Sequence, residues 1–202
     1  MPRPARQRQN LTKSALRREL LIDKLVELFL EEGFADASID DIARNLHCSK
    51  STLYNVAAGK EQIIVTVVRA FFKRSAARVE IELADVDRAP LDRIRAYLTA
   101  IAQQLAPASP AFFADLDAND ATRAIYRDNT QYAASRLREL VVQAAPSTSR
   151  ETATFIGAVA AQVMEGIHRG EIEAATGLDD SAAYRALAEL IVAGMSDTRA
   201  TA

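Results

Sequence analysis

Glycine and proline are scarce in this chain, 7 and 6 of its 202 residues, about half their usual share. That scarcity constrains the fold more than any other feature. An all-β chain of many short strands needs turn residues at close spacing, and 13 such residues cannot supply them. Most of them stand instead where an apolar pattern of helical period stops. Between Arg17 and Glu32, the residues Ile22, Leu25, Val26 and Phe29 fall at i, i+3, i+4 and i+7, one buried helical face. Gly33 follows in the place of a left-handed helix cap. The same reading predicts helices over Glu61 to about Ala84, Leu91 to Leu105 behind Pro90, and Ala111 to Asp117 behind Pro107 and Pro110. Three more are predicted: Ala121 to Ala144 before Pro146, Arg150 to about Arg169, and Ser181 to Met195, the last two separated by a loop at Gly170–Gly177. With two short helices described next, the expectation is an all-α chain of about nine helices without strands or internal repeats.

Ser38 precedes Ile39, Ile42, Ala43 and Leu46, and Asp41 stands three residues after the serine, the spacing of a helix-starting capping box. The pattern breaks at His47-Cys48, and Ser49 can cap a second short helix from Lys50 to about Val56. Only Leu53, aided by Val56 and Thr52, has to point inward there, which leaves Lys50, Ser51, Tyr54 and Asn55 outside. Two short helices with a three-residue turn make a helix-turn-helix, whose second helix fits the DNA major groove. An ordinary helical hairpin within a larger bundle has the same spacing.

Charge supports a polyanion partner at this end. Residues 1–18 hold Arg3, Arg6, Arg8, Lys13, Arg17 and Arg18 and no acid, whereas the whole chain has a formal net charge of −2. A basic start on a mildly acidic body suits nucleic acid, and a merely solvated tail has the same composition. Lacking an apolar face before Leu16, residues 1–18 are expected to form a flexible basic arm leading into the first helix. One cysteine cannot form an internal disulfide, no apolar run reaches the length of a membrane span, and the basic N-terminus has no apolar segment of a secretory signal behind it. A soluble cytoplasmic protein is therefore expected.

The stretch Ile22–Ile63 resembles the TetR family of bacterial transcriptional regulators. The resemblance rests on Leu28-Phe29, Gly33-Phe34, Ser38-Ile39-Asp40-Asp41-Ile42-Ala43, Ser49-Lys50-Ser51-Thr52-Leu53-Tyr54 and Lys60-Glu61-x-Ile63, in unbroken register over about 42 residues. Two positions depart from the family pattern: His47 stands where a turn glycine is usual, and Ala57 where a phenylalanine is usual. Histidine tolerates positive φ better than most residues. The resemblance implies a helix-turn-helix DNA-binding domain over 19–62 and a helical effector-binding and dimerisation domain over 63–202. It implies that Ser38, Thr52, Tyr54 and Lys60 contact phosphates, that Lys50, Ser51 and Asn55 read bases, that His47 touches backbone or base, and that Arg44 contacts a phosphate. It further implies a double-stranded DNA operator of palindromic sequence, a homodimer and a small-molecule effector of unknown identity, with no cofactor.

The resemblance also implies that the last two long helices of the body are the dimer surface, with Phe155, Val159, Val163, Leu187, Leu190 and Ile191 as its apolar candidates. Candidates for a ligand pocket are Phe71, Phe72, Tyr97, Phe112, Phe113, Tyr126 and Tyr132. An aromatic stripe at helical spacing serves a core as well as a pocket, and the sequence does not separate the two. No Gly-rich phosphate loop, nucleophile elbow, His-x-x-x-His or Cys-x-x-Cys spacing is present, so neither a catalytic site nor a metal site is expected. Two further readings remain open: a helix-turn-helix DNA binder without effector, acting as an activator or nucleoid factor, and an all-helical protein-interaction module that no longer binds DNA.

Overall fold

The computed structural model describes the backbone of residues 5–84 and 87–200 and the side chains of 13–84 and 87–195. Ten helices follow one another, and no strand occurs among the described residues. They are α1 (Ala5–Glu32), α2 (Ile39–Asn45), α3 (Lys50–Leu53), α4 (Lys60–Glu82), α5 (Pro90–Leu105), α6 (Pro110–Ala118), α7 (Asp120–Ala144), α8 (Arg150–His168), α9 (Glu171–Thr176) and α10 (Asp180–Ala200). No helix among the described residues is long and apolar enough to cross a membrane.

Local chemistry sets the boundaries. Ser38 and Asp41 close the expected capping box on α2, and Ser49, Ser109, Asn119 and Ser149 cap α3, α6, α7 and α8 by accepting from backbone N–H groups two or three residues on. Pro90 and Pro110 occupy first helical positions, where a missing N–H costs nothing. Three features differ from the sequence expectation. The described residues form ten helices rather than nine, because Gly170 and Gly177, both left-handed (φ 70° and 75°), leave between them room for α9. Helix α3 ends at Leu53 and continues only as a tight turn through Val56. Helix α1 begins at Ala5, so the segment expected as a flexible arm is helical over 5–18, while residues 1–4 lie outside the described residues.

Apolar side chains gather in two clusters. One joins α1, α2 and α3 to the first half of α4 and to α6, with Phe29, Phe34, Ile42, Leu53, Ile63, Val67, Phe71 and Phe112 in its interior. The other fills the body between the end of α4 and α5, α7, α8 and α10. Helix α6 is the joint between them. Its Phe112 ring meets Phe34 of the head and Phe71 of α4 edge-on, with centroids 6.0 and 5.6 Å apart. Its Asp115 carboxylate accepts from the backbone N–H groups of Phe34 (2.5 Å) and Ala35 (2.8 Å), and the Ser109 N–H just before it donates to the Leu30 carbonyl. Gly33 is required at this joint: its φ is +78°, and a Cβ there would sit 2.6 Å from an Asp115 oxygen.

Two stability predictions follow from these turns. His47 is the only non-glycine residue with positive φ (50°) among the described residues, a conformation disfavoured by about 1–2 kcal/mol for most side chains. His47→Gly is expected to raise stability by up to about 1 kcal/mol in urea unfolding, the gain being trimmed by glycine's greater unfolded-state entropy. Asp115→Ala leaves two amides at the joint without their acceptor. It should cost about 1–3 kcal/mol and accelerate hydrogen exchange selectively at Phe34 and Ala35.

Candidate nucleic-acid interface and ligand cavity

The buried and exposed faces of α3 fall as the sequence predicts. Leu53 and Val56 are buried in the head, while Lys50, Ser51, Tyr54 and Asn55 are exposed, Tyr54 to 47%. A short helix thus carries a row of polar groups and one phenol outward, held by Leu53 below and by the Ser49 cap at its start. Lys50 Nζ pairs with Asp40 at 2.7 Å across the angle between α3 and α2. Hydrogen bonding to Asp40 pushes the ammonium above its usual range, so it stays charged. Arg44 pairs with Asp41 one turn back on α2, and both pairs are exposed, so they yield readily to a stronger anion.

The other expected contacts sit around this helix. Ser38 is exposed and already serves the capping box, with its hydroxyl on Asp41. Those hydrogen bonds hold the Asp41 carboxyl below its usual range. Thr52 shares a hydroxyl contact with Ser49 at 2.8 Å. Lys60, the first residue of α4, donates to the Ala35 carbonyl at 2.6 Å, which ties the α4 N-terminus to the loop before α2. His47 is exposed at the turn. Basic residues expected in a flexible arm stand instead on α1, against α3. Lys13, Arg17 and Arg18 line one open depression together with Thr52 and Asn55, and Arg18 Nη2 donates to the Val56 carbonyl at 3.0 Å. A rigid basic helix face therefore flanks the outward face of α3.

The body holds a cavity of about 40 Å³ between α4, α5, α7, α8 and α10. Of the seven aromatic candidates, Phe72, Tyr97, Tyr126 and Tyr132 line it. Phe113 lines a separate outer cleft, Phe71 borders a surface groove beside α1, and Phe112 is buried at the head–body joint. The cavity's polar centre went unread in the sequence. His168, at the end of α8, is held by Tyr126 Oη at Nδ1 (2.5 Å) and Tyr184 Oη at Nε2 (2.8 Å), and its ring stacks on Phe113 at 4.6 Å. Desolvation pushes the imidazole down to about 4 and raises both phenols. One lone histidine and two tyrosines on three different helices give no sequence motif; only the packing of α7, α8 and α10 assembles them.

The expected dimer candidates divide. Phe155 (67% exposed), Val159 and Leu190 (69%) face outward from adjacent helices α8 and α10, Val163 is half-buried, and Leu187 and Ile191 belong to the body's core. Helical period turns Leu187 and Ile191 inward and Leu190 outward.

The class is thus an all-helical protein whose small helix-turn-helix head is locked by α6 to a larger helical body with a polar-centred cavity. Residues 21–67, the head, match the family described as bacterial regulatory proteins, tetR family. The HTH-type transcriptional repressor DhaR of Mycobacterium sp. (strain GP1) is 28% identical over 88 residues, 44% of either chain, so the match spans less than half of that relative. A TetR-like transcriptional regulator from Rhodococcus sp. RHA1 shares the fold over 97% of this chain and 98% of its own, with a TM-score of 0.65 at 17% identity. The fatty acid degradation regulator FadR of Bacillus halodurans does so over 88% and 95%, with a TM-score of 0.63 at 15% identity.

The buried imidazole makes stability pH-dependent. Its pKa falls from 6.5 in the unfolded chain to about 4 when folded, so below about pH 6.5 the unfolded state binds the extra proton and stability drops until pH 4. Between pH 7.5 and 5 the loss should be about 2 kcal/mol. Urea midpoints at the two pH values measure it, and His168→Asn should flatten most of the difference.

Proposed function

We propose that this chain is a DNA-binding transcriptional regulator, a repressor that binds a palindromic operator as a homodimer and leaves it when a small molecule occupies the body. The observation that carries the reading is the exposed polar face of α3 beside the basic face of α1 in a tetR-type head. In this reading α3 enters the major groove. Lys50, Ser51 and Asn55 meet base edges, and Tyr54, Thr52, Ser38, Lys60, Arg44 and the α1 cations meet phosphates. His47 stands where the turn meets the backbone. The Mycobacterium relative is described as a repressor, which favours repression over activation. Action on DNA places the protein in the cytoplasm.

One α3 spans few base pairs, so useful affinity calls for two copies about one helical turn apart, roughly 34–36 Å. The outward apolar residues Phe155, Val159 and Leu190, with the small Ala158 and Ala186 also exposed on the same two helices, suit an isologous contact of two bodies. Release follows through α6. Phe113 stacks on the cavity's His168, while Phe112 and Asp115 of the same helix hold Phe34 and Ala35 of the head. A ligand that shifts the cavity wall shifts α6, and with it the separation of the two heads; it does so only as far as it binds the two states unequally.

Gel shifts and binding-site selection on DNA upstream of the chain's own coding sequence test this. Tyr54→Phe and Lys60→Ala should weaken all sequences alike, with Lys60→Ala lowering the log–log salt slope by about one. Lys50→Ala and Asn55→Ala should relax base preference about tenfold at one position each. Leu190→Glu should leave a monomer in sedimentation that no longer binds the palindrome tightly. Unchanged base preference in both α3 variants would remove α3 as the reading helix.

A further inference from the structure

The cavity's polar groups are few enough to count. At about 40 Å³ it has room for two or three waters at about 10–15 Å³ each, and most of its wall is aromatic or aliphatic. The imidazole of His168, held near pKa 4 by burial, is neutral at pH 7 and carries one ring proton. With Tyr126 and Tyr184 it forms a chain of three groups, three protons and two contacts. Each contact uses one proton. Whichever tautomer holds, one tyrosine hydroxyl proton is not used in these two contacts; the other side-chain hydrogen-bond partner beside Tyr126 is Thr130.

Three other polar groups of the wall are committed. Tyr97 donates to the Ala133 carbonyl and Thr130 to the Tyr126 carbonyl, each at 3.1 Å. Glu80 is the one charged residue of the lining, and both its oxygens lie on Arg136 at 2.9 and 3.1 Å. Ser75, Gln104, Asn129 and Tyr132 complete the polar lining, so the wall offers uncharged hydrogen-bonding groups and no spare charge.

Building on the reading of this body as an effector domain, we propose that the cavity takes a neutral, mainly apolar small molecule with one acceptor oxygen, a carbonyl or ether, seated on the spare tyrosine hydroxyl. A carboxylate finds no uncommitted cation here and an ammonium no uncommitted anion, and an unpaired buried charge is strongly disfavoured. A pure hydrocarbon leaves the spare donor unmatched. Growth of the cavity to hold a six-membered ring is available at two places. Met164 in the wall is adaptable, and His168 is shared with the outer cleft of about 560 Å³, which Phe113 also lines.

Three nearly isosteric probes test the class by calorimetry on the full chain at pH 7.5: acetophenone, α-methylstyrene and benzoate. Acetophenone should bind about tenfold tighter than α-methylstyrene, the worth of one net hydrogen bond, and at least tenfold tighter than benzoate. In the double variant Tyr126→Phe with Tyr184→Phe, its folding checked by circular dichroism, ketone and hydrocarbon should come within about two-fold of each other. If that variant does not fold, the order of the three probes on the wild type decides alone. Benzoate equal to or tighter than the ketone overturns the proposal, as does a hydrocarbon equal to the ketone or no binding of any probe at its solubility limit. A gel shift with acetophenone separates the two ideas: the expected probe order with an undisturbed DNA complex upholds the ligand class and sinks effector release.

Discussion

The contacts that tie the cavity's centre to the head's loop before α2 pass through α6. Nine residues long, it is capped by Ser109 and started by Pro110, and it places two adjacent aromatic rings into two different environments. Phe112 is locked edge-on between Phe34 and Phe71 in the head's core, and Phe113 lies flat on His168 in the body. Successive helical residues point about 100° apart, so one short element of the head's core can present one ring to Phe34 and Phe71 and the next to His168 of α8. Asp115 adds the polar half of the joint by accepting the two amides that follow Gly33. Long helix α4 also crosses from head to body, but α6 links the cavity wall to the loop that positions α2.

The cavity's centre illustrates how a buried polar group is kept without strain. A lone imidazole inside an apolar body would lose its hydration with nothing in return. Here both ring nitrogens find a phenol, and burial keeps the ring neutral. Such a chain is stiff because every member fixes its neighbour. It also has a direction, set by which tyrosine donates and which accepts.

The head shows a different economy. Helices of seven and four residues are too short to hold themselves, so side-chain caps and a few buried contacts do the work: the Ser38–Asp41 box, the Ser49 cap, and Ile42, Ala43, Leu53 and Val56 beneath. His47 turns the chain at positive φ without glycine. The half-buried Ala57 packs against the same core, beside Val56, whose carbonyl receives Arg18. The outer surface of α3 thereby keeps Tyr54 and Asn55 exposed, with Lys50 held only by an exposed pair with Asp40.

Sequence alone determined what depends on near neighbours. Helix periods, serine caps, proline starts and the inward side of α3 are all set within one or two turns of chain, so they could be read from residue spacing, as could the need for a left-handed residue at 33. Tertiary structure decided what depends on residues far apart. It joined His168 to tyrosines 42 and 16 residues away, set Asp115 on amides 80 residues earlier, and sorted the aromatic candidates into cavity, cleft and joint. It also turned Leu187 and Ile191 inward while Leu190 stayed outside. An aromatic or aliphatic residue at helical spacing is apolar in the same way wherever it ends up, and only the packing of other helices against it determines whether it closes a core or walls a cavity.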